Sequence, residues 1–221
     1  MSKSSVLGSS IAKKVAMALS GLFLISFLAL HFSINMTSVF SPIAFNTASH
    51  FMGNNPLIQY VMQPVLIFGV VFHFVMGFVL DFKNRSARPI SYAKNDGSAN
   101  SSWASRNMII SGSVVLAFLG LHFYDFWIPE MIYKYVEVNP LNASRYYPEL
   151  VHKFQSSLRT GLYCLAFLLL FFHLWHGFNS SFQSVGFNNK FSKALHKLGY
   201  AFAIIVPFGF IFIALFHHFN H

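Results

Sequence analysis

Residues 158–182 read LRTGLYCLAFLLLFFHLWHGFNSSF, and Arg159 is the only charged side chain among them. A helix needs about 20 mostly apolar residues to cross the hydrocarbon core of a bilayer, so this stretch predicts a membrane-spanning helix. Four other stretches share its length and character, and the predicted spans are residues 14–34, 58–82, 106–128, 158–182 and 197–219. We therefore expect an all-α membrane protein whose residues 1–221 form a single integral membrane domain with five transmembrane helices.

The composition also favours the lipid bilayer. Of the 221 residues, 55% are hydrophobic and 10% are charged, against about 25% charged residues in soluble domains. The net charge of +9 does not indicate a nucleic-acid partner, because the basic residues form short clusters between apolar runs instead of one basic face. Cys164 is the lone cysteine and is predicted to pack in its span, so no disulfide framework or thiolate cluster is expected.

The basic residues are distributed unevenly between the two sides of the predicted bundle. With the N-terminus inside, the cytoplasmic segments hold eleven of the 15 lysines and arginines, and the outer segments hold four. The inner set is Lys3, Lys13, Lys14, Lys83, Arg85, Arg88, Lys94, Arg106, Lys190, Lys193 and Lys197. Because lysine and arginine accumulate in cytoplasmic loops, we expect a multi-pass protein of a bacterial inner membrane with a cytoplasmic N-terminus and an external C-terminus.

The two predicted outer loops differ in character. The first, residues 35–57, has no charged residue, and its part from Pro42 to Met52 is predicted to be a short interfacial helix. The second, residues 129–157, is polar and rich in tyrosine. Neither loop is long enough for a domain of its own, and the chain has no Gly-rich phosphate loop. Flavin or iron–sulfur chemistry would therefore belong to another chain.

Four of the predicted spans carry histidine, and ionisable side chains inside a membrane point to function. These residues are His31, His73, His122, and the pair His173 and His176. Counted from the inner helix ends at about 1.5 Å per residue, His31 and His122 both lie roughly 25 Å up, toward the outside. His73 and His173 both lie roughly 12 Å up, toward the inside. The sequence thus predicts two pairs, each at one depth.

The paired depths indicate haem binding. Two imidazoles at one depth on facing helices can take both axial positions of a haem iron. We therefore expect two b-type haems, one held by His31 and His122 and the other by His73 and His173. Electrons could then pass between the two halves of the membrane. For any single histidine, the alternative is a hydrogen bond to a neighbouring carbonyl or hydroxyl group.

The two inner histidines share the motif H-x-x-x-G-F, at residues 73–78 and 173–178. Glycine at the fourth following position lies on the face of the histidine. Gly77 and Gly177 would therefore leave room for a flat macrocycle, although small residues also serve helix packing. The repeated motif indicates that spans one and two recur as spans three and four. The fifth span would then be an addition, and Pro207 predicts a kink in it.

The other histidines have simpler interpretations. His176, one turn nearer the cytoplasm than His173, could be an alternative ligand or contact a haem propionate, but the shared motif favours His173. The rest are predicted to lie in loops or at the membrane surface and are assigned no metal: His50, His152, His196, His217, His218 and His221.

Several further short segments occur in a specific order and spacing. They are Leu30-His31-Phe32, residues 44–47 and 50–52, the two H-x-x-x-G-F motifs, Asn84-Arg85 with Ala87-Arg88-Pro89, Leu121-His122 with Asp125-Phe126-Trp127, and Phe182-Gln183 with Gly186. Taken together, they resemble the di-haem cytochrome b anchor subunits of succinate dehydrogenases and fumarate reductases, in the form with one five-span polypeptide. The resemblance runs nearly end to end.

The resemblance implies a function and a set of partners. His31 and His122 would ligate the distal haem, and His73 and His173 the proximal haem. A flavoprotein subunit that oxidises succinate or reduces fumarate would lie on the cytoplasmic face, with an iron–sulfur subunit that feeds the proximal haem. A membrane quinone, menaquinone, would bind near the distal haem. This chain would be the electron-transfer and quinone-reactive subunit of the enzyme, and the dicarboxylate chemistry would take place on its partners.

One departure from the family concerns the quinone site. Some members carry an acidic residue in the first outer loop that handles the protons of the quinol, and this chain has none there. His50, Asp125 and Glu130 are the candidates to replace it, and the sequence does not choose among them.

Two alternative functions are weighed against this one. The first is the cytochrome b subunit of a hydrogenase or a formate dehydrogenase, which would co-purify with a nickel or molybdenum subunit. The second is a haem-free membrane transporter or structural anchor. That class would be expected to show broken helices or charge pairs near the membrane midplane, and neither is evident in the sequence.

Overall fold

The computed structural model describes residues 9–86, 107–187 and 192–220, and every regular element within them is helical. The helices are α1 (Ser10–Phe40), α2 (Pro42–Asn54), α3 (Ile58–Ser86), α4 (Met108–Val136), α5 (Tyr146–Phe154), α6 (Ser157–Ser184) and α7 (Ser192–Phe219). Five of them, α1, α3, α4, α6 and α7, are long and apolar enough to cross a membrane. The predicted all-α fold class with five transmembrane helices is confirmed.

The first span is longer than predicted at both ends. α1 begins where the Ser9 hydroxyl accepts a hydrogen bond from the amide of Ala12, at 3.1 Å. Such a cap pairs one of the amides that the first turn of a helix leaves without a partner. α1 then continues to Phe40, beyond its predicted end at residue 34.

The prediction of an outer loop at residues 129–157 is wrong over much of its length. α4 continues through Pro129 as far as Val136, and residues Tyr146–Phe154 form α5. Proline has no amide hydrogen to donate within a helix. π-helical turns lie on both sides of Pro129, at Phe123–Trp127 and Ile132–Val136, and such turns commonly interrupt helices at special positions. The helix therefore continues through Pro129, beyond the predicted end of the span at residue 128.

The short helix predicted from Pro42 to Met52 is confirmed as α2. The Ser41 hydroxyl accepts a hydrogen bond from the amide of Ala44 at 3.2 Å, and Pro42 occupies the first turn, where its missing amide costs nothing. α2 packs against α5, and Phe45 is buried beside Leu150 and Phe154. α2 and α5 thus lie together at one end of the bundle, which we call the α2–α5 end; the opposite end is the N-terminal end.

The five long helices pack around a shared interior. α1 contacts α3, α6 and α7, whereas α6 contacts α4 and α7 as well. The fifth span, predicted to be an addition to the other four, contributes Phe210, which stacks on Phe167 with ring centres 5.1 Å apart. α7 continues unbroken through Pro207 from Ser192 to Phe219. It therefore completes the core of the bundle on the side of α1 and α6.

His217 is not at the surface as predicted. Its side chain is fully buried, and Nε2 lies 2.9 Å from the hydroxyl oxygen of Ser38. The extra turns of α1 beyond residue 34 place Ser38 alongside the end of α7, which explains the burial. His218 also has a partner, because its Nδ1 lies 2.8 Å from the carbonyl oxygen of Phe154. His152 is exposed, as predicted for a surface residue.

Several residues used in the sequence interpretation lie outside the described residues. They are Lys3, Ala87, Arg88, Pro89, Lys94, Arg106, Lys190 and His221. The inside–outside orientation therefore stays a prediction.

Candidate cofactor site

A largely apolar cavity of about 830 Å³ runs between the long helices. All four predicted haem ligands, on α1, α3, α4 and α6, line it. Lys14 and Asn84 lie at its N-terminal end, and Gly53 and Glu130 lie at its α2–α5 end. Ligand pockets in proteins usually measure about 300–1,000 Å³ and combine apolar walls with a few polar groups. The bundle therefore has room inside for a large, mostly apolar ligand.

His31 and His122 face each other across the part of the cavity nearer the α2–α5 end. Their ring centres are 5.8 Å apart and their ring planes are nearly perpendicular, at 86°. Phe27 stacks on His31 at 5.4 Å, and Phe118 lies 5.8 Å from His122. These two histidines come from the first and third spans, as predicted, and we call them the outer pair.

His73 and His173 face each other nearer the N-terminal end. Their ring centres are 6.4 Å apart, with an angle of 73° between the planes. His176, the alternative to His173, is half-buried and does not line the cavity. The structure thus brings His173 and not His176 to His73, and we call His73 and His173 the inner pair.

The donor set of each pair suits a haem better than a bare metal ion. No group of three or more His, Cys, Asp or Glu side chains comes together as a metal site within residues 9–86, 107–187 and 192–220. A protein zinc site needs three or four such ligands, whereas a haem iron takes only axial ligands from the protein. Two imidazoles bound on opposite sides of one metal, each at about 2 Å, have ring centres roughly 6 Å apart. Both observed separations agree with that spacing.

The outer pair also contains a ring nitrogen that lacks a protein partner. Nδ1 of His122 is buried and forms no hydrogen bond within the part of the chain that the structure describes. On His31, the amide nitrogen of Asn35 is 3.4 Å from both ring nitrogens, but it also donates to the His31 carbonyl at 2.8 Å. A buried polar atom without a partner costs about 1–3 kcal/mol, so this location favours a ligand that engages the ring.

The glycines of the H-x-x-x-G-F motif lie beside methionine side chains. A Cβ atom added to Gly77 would lie 3.5 Å from the methyl carbon of Met17, and one added to Gly177 would lie 3.0 Å from that of Met108. Gly177 lines the cavity, whereas Gly77 does not. Both glycines thus accommodate a methionine of a neighbouring helix, and their role in making room for a macrocycle stays a prediction.

Two of the three quinone candidates meet at the α2–α5 end. Glu130 lines the cavity and forms ion pairs with Lys134, at 2.5 Å, and with Arg145. The Arg145 guanidinium lies 4.4 Å above the ring of Tyr146, and the same ring lies 6.2 Å from that of His50. We call these five residues the outer polar cluster.

The electrostatics of the outer polar cluster follow from Glu130 and from the neighbouring Glu149. Burial acts to lower the pKa of Arg145, but its hydrogen bonds to Glu130 and Glu149 outweigh burial and leave the pKa raised. Burial, and next the negative charge of Glu130, raise the pKa of the Tyr146 hydroxyl. Arg145 therefore stays charged and Tyr146 stays protonated, so both can donate hydrogen bonds at neutral pH.

Asp125, the third candidate, lies elsewhere. It is 1% exposed and does not line the cavity. Arg159 Nη1 is 2.5 Å from its Oδ1, and the hydroxyl of Tyr163 donates to its Oδ2 at 2.9 Å. Both partners are on α6, so Asp125 links α4 to α6 through an ion pair and a hydrogen bond. The structure separates Asp125 from the cavity and leaves Glu130 as the acidic candidate that reaches it.

Two serines behind the inner pair were missed at the level of sequence. The hydroxyl oxygen of Ser20 is 3.0 Å from Nδ1 of His73, and that of Ser111 is 3.3 Å from Nδ1 of His173. A repeat longer than the H-x-x-x-G-F motif would have revealed them, because residues 17–32 and 108–123 share the pattern M-x-x-S-G-x5-F-x-x-L-H-F. Each copy contains one of the serines and one histidine of the outer pair.

Comparisons of the chain with models of protein families, with curated proteins and with solved structures give no match.

Proposed function

We propose that this chain is the membrane anchor and di-haem cytochrome b subunit of a succinate:quinone oxidoreductase. His31 and His122 would hold the distal haem, and His73 and His173 the proximal haem. When bound, each haem iron supplies one-electron redox chemistry. The chain would conduct electrons between an iron–sulfur subunit and menaquinone, while a flavoprotein subunit carries out the dicarboxylate chemistry.

The main support for the proposal is that the two histidines of each pair face each other, and that the two pairs lie at different levels of one cavity. Four helices each contribute one imidazole, and the ring centres are 5.8 Å and 6.4 Å apart. A histidine that served only helix packing would need no partner imidazole across the cavity. The sequence of α1 and α3 is partly repeated in α4 and α6, and this repeat supports the same conclusion. Each copy contributes one histidine to the outer pair and one to the inner pair.

The chain's own residues would orient the ligand and exclude water. The histidines are fixed by the packing of α1, α3, α4 and α6, and apolar side chains fill the walls between them. Electrostatic interactions are stronger where the surroundings are less polar. The few polar groups along the cavity would therefore act more strongly on a bound ligand. The proposal gives electrons a dry path along the bundle axis, from the inner pair to the outer pair.

We place the menaquinone site at the α2–α5 end of the cavity. Glu130 and Glu149 are acidic side chains that line this end; we choose Glu130, whose carboxylate is the less exposed of the two and would accept the proton that the quinol releases. Lys134 and Arg145 hold that carboxylate from two sides. Tyr146 lines the same end and offers a hydroxyl to a quinone oxygen.

We place the partner subunits at the N-terminal end, on the cytoplasmic side of a bacterial inner membrane. The inner pair is the nearer pair to this end, and Lys13, Lys14, Lys83 and Arg85 lie at its rim. Positive residues favour the cytoplasmic side. An iron–sulfur subunit docked there would lie closest to the inner pair.

The first experiment counts haem in the purified protein. A pyridine haemochrome assay should give two haems per chain. His73→Leu and His173→Leu should each lower the ratio to one, because each removes a ligand of the inner pair. His176→Leu and the exposed-site control His152→Leu should retain two.

The same preparation separates the alternatives. Co-purification with flavoprotein and iron–sulfur subunits supports the proposed enzyme. Co-purification with a nickel or molybdenum subunit would instead assign the chain to a hydrogenase or a formate dehydrogenase. Absence of a Soret band despite adequate haem supply would exclude both and leave a haem-free transporter or anchor.

A further inference from the structure

Each histidine of the inner pair forms a contact, through Nδ1 of its ring, with a serine on the neighbouring span. Ser20 on α1 lies 3.0 Å from Nδ1 of His73 on α3. Ser111 on α4 lies 3.3 Å from Nδ1 of His173 on α6. The two contacts are equivalent positions of the repeat, so the arrangement occurs twice in one chain. Two independent copies of the same contact argue against a chance proximity.

The direction of these hydrogen bonds follows from the other partner of each serine. The Ser20 hydroxyl donates to the carbonyl of Met17 at 2.8 Å, and the Ser111 hydroxyl donates to that of Met108 at 3.0 Å. A hydroxyl has one hydrogen to give, so toward the histidine each serine oxygen can only accept. Nδ1 of the histidine must then carry the hydrogen.

This assignment fixes the tautomer of both rings. A neutral imidazole carries its hydrogen on one nitrogen and a lone pair on the other. With the hydrogen held on Nδ1 by the serine, the lone pair of His73 and of His173 is on Nε2. That is the state in which an imidazole can bind a metal without first losing a proton.

The residue after each serine allows the close approach. A Cβ atom added to Gly21 would lie 3.4 Å from Cε1 of His73, and one added to Gly112 would lie 3.4 Å from Cε1 of His173. The glycines therefore let the backbones of α1 and α4 lie close to the histidine rings, and the adjacent serines supply the hydrogen-bond acceptors. His122 of the outer pair lacks such a contact, because its Nδ1 has no hydrogen-bond partner among the described residues.

We infer that Ser20 and Ser111 are positioning residues that orient the inner pair and tune the haem it binds. The inference rests on the proposed function and deepens it. A hydrogen bond from the far nitrogen of a ligating histidine increases electron donation to the metal. It thereby stabilises the oxidised iron and lowers the reduction potential of the inner haem, while the outer haem is unaffected.

The test measures both haem potentials in the full chain with its partners. In a redox titration, Ser20→Ala and Ser111→Ala should each shift the inner component upward and leave the outer component in place. The inner component is identified by its loss in His73→Leu. Haem release to an apoprotein trap should also become roughly tenfold faster for the inner haem.

Matched controls use serines on the same helices that also donate to a carbonyl of the preceding turn. Ser26 on α1 donates to the Leu22 carbonyl, and Ser113 on α4 donates to the Ile109 carbonyl, and both are exposed. Ser26→Ala and Ser113→Ala should leave both potentials unchanged. Ser20→Thr and Ser111→Thr keep the hydroxyl and should keep the potential of the unmodified protein.

The possible results separate the inference from the proposed function. Loss of the inner haem in the alanine variants with retention in the threonine variants supports the role of the hydroxyl. Loss in both, or an unchanged inner potential in Ser20→Ala and Ser111→Ala, would overturn it. A shift of equal size in the Ser26→Ala control would do the same. If the unmodified protein binds no haem, the proposed function fails first.

Discussion

At the scale of single residues, Asp125 shows how a buried charge can serve structure next to a functional site. Its carboxylate is enclosed by Arg159 and Tyr163, and the Tyr163 ring lies 6.3 Å from that of His122. Removing one partner of a buried ion pair leaves the other charge without compensation, and this costs more than the pair contributes by itself. Asp125 therefore stabilises the contact between α4 and α6 beside the outer pair.

We predict that Asp125→Asn lowers the free energy of unfolding by about 2 kcal/mol, because Arg159 loses its charged partner while its own partial exposure limits the cost. Tyr163→Phe removes one hydrogen bond and should cost about 1 kcal/mol. The measurement is unfolding of the purified protein in detergent. The haem ratio should stay at two in both variants, since Asp125 does not line the cavity.

A surface ion pair provides the control. Asp81 and Arg85 lie 2.8 Å apart with side chains 35% and 67% exposed, and exposed pairs contribute about 0–1 kcal/mol. Asp81→Asn should therefore change stability little. If Asp81→Asn and Asp125→Asn destabilise the protein equally, burial is not the reason for the effect.

The sequence identifies the four paired histidines but not what surrounds them. Their depths follow from the helical rise alone, so His31 and His122, and likewise His73 and His173, could be paired without knowing how the helices pack. The serine contacts depend on which helix is the neighbour and on its rotation. That information is carried by the M-x-x-S-G repeat at Met17 and Met108, which hydropathy does not show. The burial of His217 likewise depends on the true length of α1.

At the scale of helices, the long apolar elements are the most predictable part of the fold. Composition and length sufficed for α1, α3, α4, α6 and α7 because a bilayer span needs a long apolar run. The segment after Trp127 was less predictable, since Pro129 and a tyrosine-rich stretch resemble a loop. Packing of the extended α4 against its surroundings overrides that local signal: Lys134 donates a hydrogen bond to the carbonyl of Gly53, beyond the end of the predicted span.

α2 buries one aromatic side chain, Phe45, in the core beside α5. Phe45 is 6% exposed and belongs to the core that includes Leu150 and Phe154. We predict that Phe45→Ala lowers the free energy of unfolding by about 3 kcal/mol, because it leaves a cavity in that core. Hydrogen exchange should increase across residues 42–54, as measured by mass spectrometry of the purified protein.

Phe51, on the same helix, is the matched control, with 57% of its surface exposed. Phe51→Ala should cost less than about 0.5 kcal/mol, as for substitutions away from packed sites. Equal effects of the two substitutions on exchange in α2 would show that Phe45 does not anchor the helix. Because α2 supplies His50 to the outer polar cluster, the proposed quinone site should weaken in Phe45→Ala alone.

At the scale of the whole molecule, the two pairs define an axis across the membrane. Ser20, which contacts the inner pair, and His31, in the outer pair, are 11 residues apart on α1. This corresponds to roughly 16 Å along the helix, or about half of a hydrocarbon core of about 30 Å. An electron that passes between the pairs would therefore cross about half of the membrane field.

The membrane potential should consequently act on the proposed reaction. A full crossing is worth about 2.3 kcal/mol per 100 mV, so half a crossing is worth about 1.2 kcal/mol, or a roughly sevenfold bias in equilibrium per 100 mV. With the N-terminal end at the negative, cytoplasmic side, electrons moving outward move toward the positive side. We predict that energised vesicles reduce menaquinone with succinate faster than vesicles treated with an uncoupler.

Transfer from succinate to a soluble acceptor, which bypasses this chain, should be insensitive to the uncoupler. Equal rates of menaquinone reduction in both conditions would contradict electron transfer along this axis, whereas slower reduction in energised vesicles would reverse the assigned orientation.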